Sequence, residues 1–235
     1  MKKLSFFALS LLCLAAFMND SSAGTLTGKV HFKGAKPAPV KIKMTADKKC
    51  ERVHAGMDVY SDQVVVNPNG TLKNVFVYVK SGLAKKKYPA PKEKAKFDQS
   101  GCQYTPHVFG VMVDQKIEIS NSDETLHNVH ALPKNSKQFN IAQPKKGMKR
   151  VESFSSPEVM VKIKCEVHNW MAAYVGVMDN PFFAVSDDQG KFSIKDLPAG
   201  EYEIEAWHEK YGTSTMKVSV GAADTKTADF SYQGK

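Results

Sequence analysis

The chain has 235 residues, 42% of them hydrophobic and 24% charged, which excludes a disordered tail, a collagen-like repeat and a polytopic membrane protein. That is enough for one large domain or two small ones, each with its own core. Lys and Arg number 33 against 24 Asp and Glu, a formal net charge of +9. The excess is dispersed and points to an acidic partner surface, not to a nucleic-acid groove.

Residues 1–23 read as a secretory signal peptide. Lys2 and Lys3 precede an apolar run over residues 4–18, too short for a comfortable membrane span, and Ser21, Ser22 and Ala23 offer small residues for cleavage. Leu12 before Cys13 does not suit a lipoprotein signal. Cleavage after Ala23 removes two lysines and one aspartate and leaves a net charge of +8. No later apolar stretch is long enough to span a bilayer, so the expected location is periplasmic or secreted.

Beyond the leader almost every periodic signal has period two. Residues 24–61 open with a strand-like segment and a Pro-containing turn, and a short helix is possible around residues 46–55. Residues 62–179 hold most of the strands: Val75, Val77 and Val79 alternate with Phe76, Tyr78 and Lys80. Residues 84–96, rich in Lys, read as an exposed loop, with a second short helix possible over 85–97. Val111, Val113, Ile117 and Ile119 keep one parity, and Val159, Val161, Ile163 and Cys165 share a face. Residues 181–235 read as a β-meander in which Tyr202, Ile204 and Ala206 oppose an outer face of Glu201, Glu203 and Glu205. Such alternation, punctuated by Gly and Pro turns, predicts half-buried antiparallel strands and an all-β chain, most simply sandwiches.

Without Cys13, three cysteines remain, an odd number for an oxidising compartment. Cys165 lies in Cys165-Glu166-Val167-His168-Asn169-Trp170-Met171, whose residue types suit a metal. A disulfide between Cys50 and Cys102 is therefore the economical assignment, the alternatives being three reduced thiols or another pairing. Cys165 ends a run whose odd positions are apolar, so its thiol is expected to face the interior. A loop then brings His168 and Met171 back beside it. Upstream stand Asn121-Ser122-Asp123 and His127-Asn128-Val129-His130. One thiolate, two imidazoles and a thioether form the donor set of blue-copper electron-transfer sites, whereas zinc more usually recruits a further Cys, His or carboxylate. His127 and His130 are three apart and face opposite ways in an extended segment, so one of them should reach the site, and spacing cannot say which.

The pattern His-Asn-Val-His followed by Cys-x-x-His-x-x-Met resembles the cupredoxins, especially the amicyanin and plastocyanin branch, over roughly residues 62–179. The resemblance implies a Greek-key β-sandwich with one mononuclear type 1 copper held by His127, Cys165, His168 and Met171. It also implies that Asn128 ties the two ligand loops together, and that His168, with Trp170 nearby, forms an apolar surface edge where electrons leave. The run from Ala184 to Phe192, with Asp196-Leu197-Pro198-Ala199-Gly200-Glu201-Tyr202, resembles the carboxypeptidase-regulatory-like, transthyretin-type β-sandwich. Such modules are structural or interaction domains. Its opening strand is missing from residues 181–235, and Gly28-Lys29-Val30-His31-Phe32-Lys33-Gly34 resembles it, so the chain's two ends are expected to pair around the copper domain.

The expected function is single-electron transfer between redox partners, one of them a redox protein with an acidic docking surface. A copper-tolerance or delivery protein and a non-redox interaction module are the alternatives. No nucleophile, phosphate-binding or metalloprotease motif is present, and no enzyme activity is expected. His54 and His107 lie near Cys50 and Cys102 in sequence and are read as ordinary loop histidines, with a second metal site as the alternative.

Overall fold

A computed structural model describes residues 23–234; the signal-peptide reading lies outside them, as does Cys13. Strand β1 (Gly24–Lys33), helix α1 (Lys48–Val53) and strand β2 (Phe76–Ser81) come first. Then follow β3 (Ala95–Ser100), β4 (Gln103–Thr105), β5 (Val108–Met112), β6 (Ile117–Asn121), β7 (His127–Leu132), β8 (Phe139–Gln143), β9 (Lys149–Glu152), β10 (Glu158–Lys164) and β11 (Ala172–Met178). The chain closes with β12 (Phe183–Val185), β13 (Lys191–Leu197), β14 (Gly200–His208), β15 (Gly212–Val220), β16 (Thr225–Thr227) and β17 (Phe230–Gln233). The protein is all-β, and α1 is its one α-helix among the described residues.

These strands form four sheets in two sandwiches. In the central one a five-stranded sheet, β5-β11-β10-β7-β8, faces a four-stranded sheet, β4-β3-β6-β9. Phe97, Ile117, Ile119, Val129, Ile163 and Val175 are among the side chains buried between them. In the terminal sandwich β1 lies between β13 and the β16 and β17 strands, opposite β12-β2-β14-β15. Thus β1, from the start of the described chain, pairs antiparallel with β13 and parallel with β16 and β17 from its end.

The boundary between the units differs from the expected one at residue 62. Val66, Leu72, Val75, Val77 and Val79 lie in the terminal core with Leu26, Ile204 and Phe230, and β2 pairs with β12 and β14. Alternation in β2 marks two buried faces, not one buried and one wet. The valines fill the terminal core, while Phe76 and Tyr78 pack with Val108 and Met178 of the central sandwich. Gly110 and Gly176 are register partners on β5 and β11. Together they make a flat seat for aromatic rings: a Cβ at Gly176 would stand 2.4 Å from Phe76 Cζ, and one at Gly110 2.4 Å from Phe183 Cε2. Two further expected faces are altered locally. Met160 adopts φ 64° where the β10–β11 register shifts, and this bulge leaves Val159 exposed, off the face of Val161 and Ile163. Glu205 is buried, accepting from Tyr78 Oη and from Lys80 Nζ at 2.8 Å; Tyr78 is its register partner on the neighbouring strand β2 and packs with Val108 and Met178 of the central sandwich. Residues 85–94 form no helix, while the 46–55 region does contain α1.

Candidate metal centre

Antiparallel pairing of β10 with β11, ending at Lys164 opposite Ala172, makes residues 165–171 a hairpin connection. It is closed by Cys165 N–H to Met171 O at 3.2 Å and Met171 N–H to His168 O at 3.0 Å. On its other side β10 pairs with β7, Lys164 opposite His130, so the first residue of β7, His127, lies at the same end of the sheet. His127, Cys165, His168 and Met171 are all buried, at most 3% exposed. The convergence of His127, Cys165 and His168 follows from strand register and from the inward parity of Cys165. His130 faces the other way, paired with Glu166 at 2.6 Å.

The two imidazoles approach through their Nδ1 atoms, 2.9 Å apart, and one donor atom from each of His127, Cys165 and His168 falls within 4.8 Å of the others. The Cys165 sulfur lies 3.9 Å from His168 Nδ1 and receives His168 N–H at 3.3 Å. Asn128 spans the two loops: its Oδ1 accepts Glu166 N–H at 2.6 Å and lies 3.3 Å from Cys165 Sγ. Its Nδ2 donates to Asn140, and its own carbonyl accepts the Tyr104 hydroxyl.

Each histidine turns its far nitrogen to a carboxylate. His127 Nε2 lies 2.8 Å from Asp123 Oδ2, and His168 Nε2 3.1 Å from Asp47 Oδ2. Asp123 also accepts Gly101 N–H and Cys102 N–H, both at 2.8 Å. Asp47 is the N-cap of α1, its Oδ1 accepting from Lys49 and Cys50, while Oδ2 also accepts Thr125 Oγ1 at 2.8 Å. These partners assign both Nε2 atoms as N–H donors, which leaves both Nδ1 atoms as acceptors facing one another. A shared proton or a metal cation reconciles that contact. The arrangement is the carboxylate–histidine pairing that orients metal-binding imidazoles, and with one thiolate and a nearby buried thioether the donors fit copper.

The electrostatics agree. Burial alone would raise the Cys165 thiol pKa, but hydrogen bonds from His127, His168 and the Asn128 and His168 backbone bring it down to about 5. Burial opposes charge on His127, yet Asp123 and Cys165 raise it to about 8. Burial likewise opposes the Asp47 carboxylate, and its bonds from Thr125, His168, Lys49 and Cys50 hold it at about 2. Asp123 is lowered by His127 and the Cys102 and Gly101 N–H groups, against its own burial.

One expected feature is overturned. His168 forms no surface edge: it is 2% exposed, because residues 42–59 fold over it. Cys50 is the single buried residue of α1 and forms a disulfide with Cys102, 52 residues away. Its sulfur lies 3.6 Å from His168 Nε2. Met44 and the disulfide make a small satellite core with Ile42, Val59 and Trp170 against it. Trp170, half-buried, packs on His168 at 4.9 Å between ring centroids and donates Nε1–H to Cys102 O at 2.9 Å. A cleft of about 160 Å³ opens beside Trp170 and Met171.

His54 and His107 do not meet. His54 Nε2 lies 2.7 Å from Gly101 O, and His107 joins Ala172 O and, across to the terminal sandwich, Glu209 at 2.7 Å. Sequence reasoning missed Asp47 and Thr125, and it named Asp123 without giving it a role. Asp123 stands four residues before His127, a spacing that holds a signal; Asp47 is 121 residues from its histidine, and nothing local marks it.

No protein-family model matches the chain, and no curated protein does. Among solved structures it is similar to a Cu-containing nitrite reductase from Thermus scotoductus SA-01, at 15% identity and TM-score 0.36 over 43% of this chain and 26% of that one. The match thus spans about a quarter of the reductase. A purple cupredoxin from Nitrosopumilus maritimus matches at 21% identity and TM-score 0.31, over 36% and 99% of the two chains. A reduced amicyanin variant matches at 18% and 0.32, over 41% and 96%. Identities and TM-scores this low leave the reading of the site to its own geometry.

Proposed function

We propose that this chain is an exported cupredoxin-type copper protein that carries single electrons and catalyses no reaction itself. The observation that carries the reading is the convergence of His127 Nδ1, His168 Nδ1 and Cys165 Sγ, with each Nε2 anchored on a carboxylate. Copper bound there would supply a one-electron couple between Cu(I) and Cu(II).

The chain's own residues hold this site rigid and dry. Cys165 presents a thiolate at neutral pH, the Nδ1 atoms of His127 and His168 would hold copper in place of the proton between them, and buried Met171 would supply a soft, weak fourth donor. Asp123 and Asp47 fix ring tautomer and orientation, so little rearranges when charge changes. Burial of all four ligands favours metal retention over delivery. With His168 covered, Trp170 carries its contact toward the surface, and we assign electron exit to that ring. The chain's excess of basic residues would steer an acidic redox partner, raising encounter rate more than affinity. The disulfide suits an oxidising compartment, and among the described residues no helix is long and apolar enough to cross a membrane. The terminal sandwich we read as a carboxypeptidase-regulatory-like platform that holds the central unit through the Gly110–Gly176 seat.

The test is electron exchange of the copper-loaded protein with a small acidic redox protein. The expected result is a rate that falls with added salt and falls further in Trp170→Glu, with copper retained in both. Loss of Cu(I) to a weak chelator within seconds would replace electron transfer by copper delivery.

A further inference from the structure

The Cys50–Cys102 disulfide does not lie at a distance from the donors; it lies against both histidines on the side away from Cys165. Asp47, Cys50 and His168 place one ligand atom each within 4.8 Å of one another, and so do Cys102, Asp123 and His127. The disulfide joins these two groups. Two sulfurs, two carboxylates and two imidazole nitrogens therefore stand together, and only the S–S bond keeps the sulfurs from acting as thiolates.

We propose that the dithiol form of Cys50 and Cys102 is a second metal site, specific for Cu(I), separate from the one built on Cys165. A dithiol reductant opens it: two electrons and two protons pass from the reductant, which becomes a disulfide, and the S–S bond becomes two thiols. On binding Cu(I) the thiols release their protons to solvent, and copper keeps its oxidation state. Two soft thiolates meet the low coordination number and ligand preference of Cu(I). When the inner donors also hold metal, both Nε2–H groups stay committed to Asp47 and Asp123, so the second site then relies on its sulfurs; zinc would require a fuller set. Access comes from the same bond. α1 has six residues, too few to be stable unaided, and Cys50 is its one buried residue, so reduction frees the segment above the sulfurs to admit metal. Asp47, about one-fifth exposed, marks the entrance.

The experiment uses the full secreted chain carrying Cys165→Ser, which removes the inner thiolate, so its outcome stands apart from the electron-transfer reading. Protein is compared with its disulfide intact and after anaerobic dithiol treatment and desalting, using Cu(I) alone as probe in competition with a colorimetric Cu(I) chelator. The expected result is one further equivalent of Cu(I) retained by the reduced form, with Cys50 and Cys102 protected from alkylation by at least tenfold. Cys50→Ser with Cys102→Ser should abolish the extra equivalent. Equal stoichiometry in the two forms, unprotected thiols, or retention of Zn(II) in preference to Cu(I) would overturn the proposal.

Discussion

Asp123→Asn changes one atom in a carboxylate that accepts three hydrogen bonds, from Gly101 N, Cys102 N and His127 Nε2, each at 2.8 Å. An amide has one acceptor oxygen. In its better orientation that oxygen keeps His127 and Cys102, and the NH₂ group then confronts the Gly101 N–H, donor against donor. The residue is 7% exposed, so water does not repair the loss. One hydrogen bond to a charged group is worth about 1.5–3 kcal/mol, and the two that survive become neutral and weaker. The metal-free variant should therefore lose about 2–4 kcal/mol in urea unfolding. His127 keeps its orientation but loses an anionic partner, so Cu(II) affinity should fall about 10–100-fold, or about 1.4–2.8 kcal/mol. Competition titration with a Cu(II) chelator reads the second effect separately from the first. A variant as stable as the parent, with the same affinity, would refute the role given to Asp123.

Three further outcomes are expected. Gly176→Val would drive a side chain into Phe76, whose Cζ stands 2.4 Å from the site of its Cβ, and should cost about 1–3 kcal/mol in unfolding with the Cu(II) spectrum retained; a neutral effect would contradict the seat between the sandwiches. The Cys165 thiolate absorbance of the metal-free protein should titrate near pH 5, whereas a midpoint near the ordinary thiol value of 9 would show that the histidines do not hold the thiolate. Because that pKa is depressed in the folded state, the thiolate's stabilisation is present above the unfolded value and is lost as pH falls toward 5. His208 is buried, and burial lowers its pKa to about 4. His208 should thus add to the decline in stability between about pH 6.5 and 4, and the decline should be smaller in His208→Gln than in the parent.

The parts legible in the sequence were those whose cause is local. Period-two alternation marked the strands, and the inward parity of Val161, Ile163 and Cys165 brought the thiol to the interior. The Cys165-to-Met171 spacing placed His168 and Met171 on one short hairpin. Alternation says that a residue faces one side, but not what covers that side. Phe76 and Tyr78 were legible as one face of β2, while the second sandwich that buries them was not. Glu205 looked solvent-facing for the same reason. The bulge at Met160 adds one residue to the ladder without any Gly or Pro to announce it, and Val159 moved out accordingly. The covering of His168 was the least legible feature. It depends on Asp47 and Cys50 crossing more than a hundred residues to reach it, and no pattern within either segment encodes that meeting.

The central claim is that Cys165 sulfur, with His127 and His168, binds copper directly. The most direct measurement is the visible absorption spectrum of the metal-free protein on addition of one equivalent of Cu(II). An intense thiolate-to-copper band is predicted, absent in Cys165→Ser and kept in Met171→Leu and His130→Ala. A parent protein that binds Cu(II) without such a band, or a Cys165→Ser spectrum identical to that of the parent, would contradict the account.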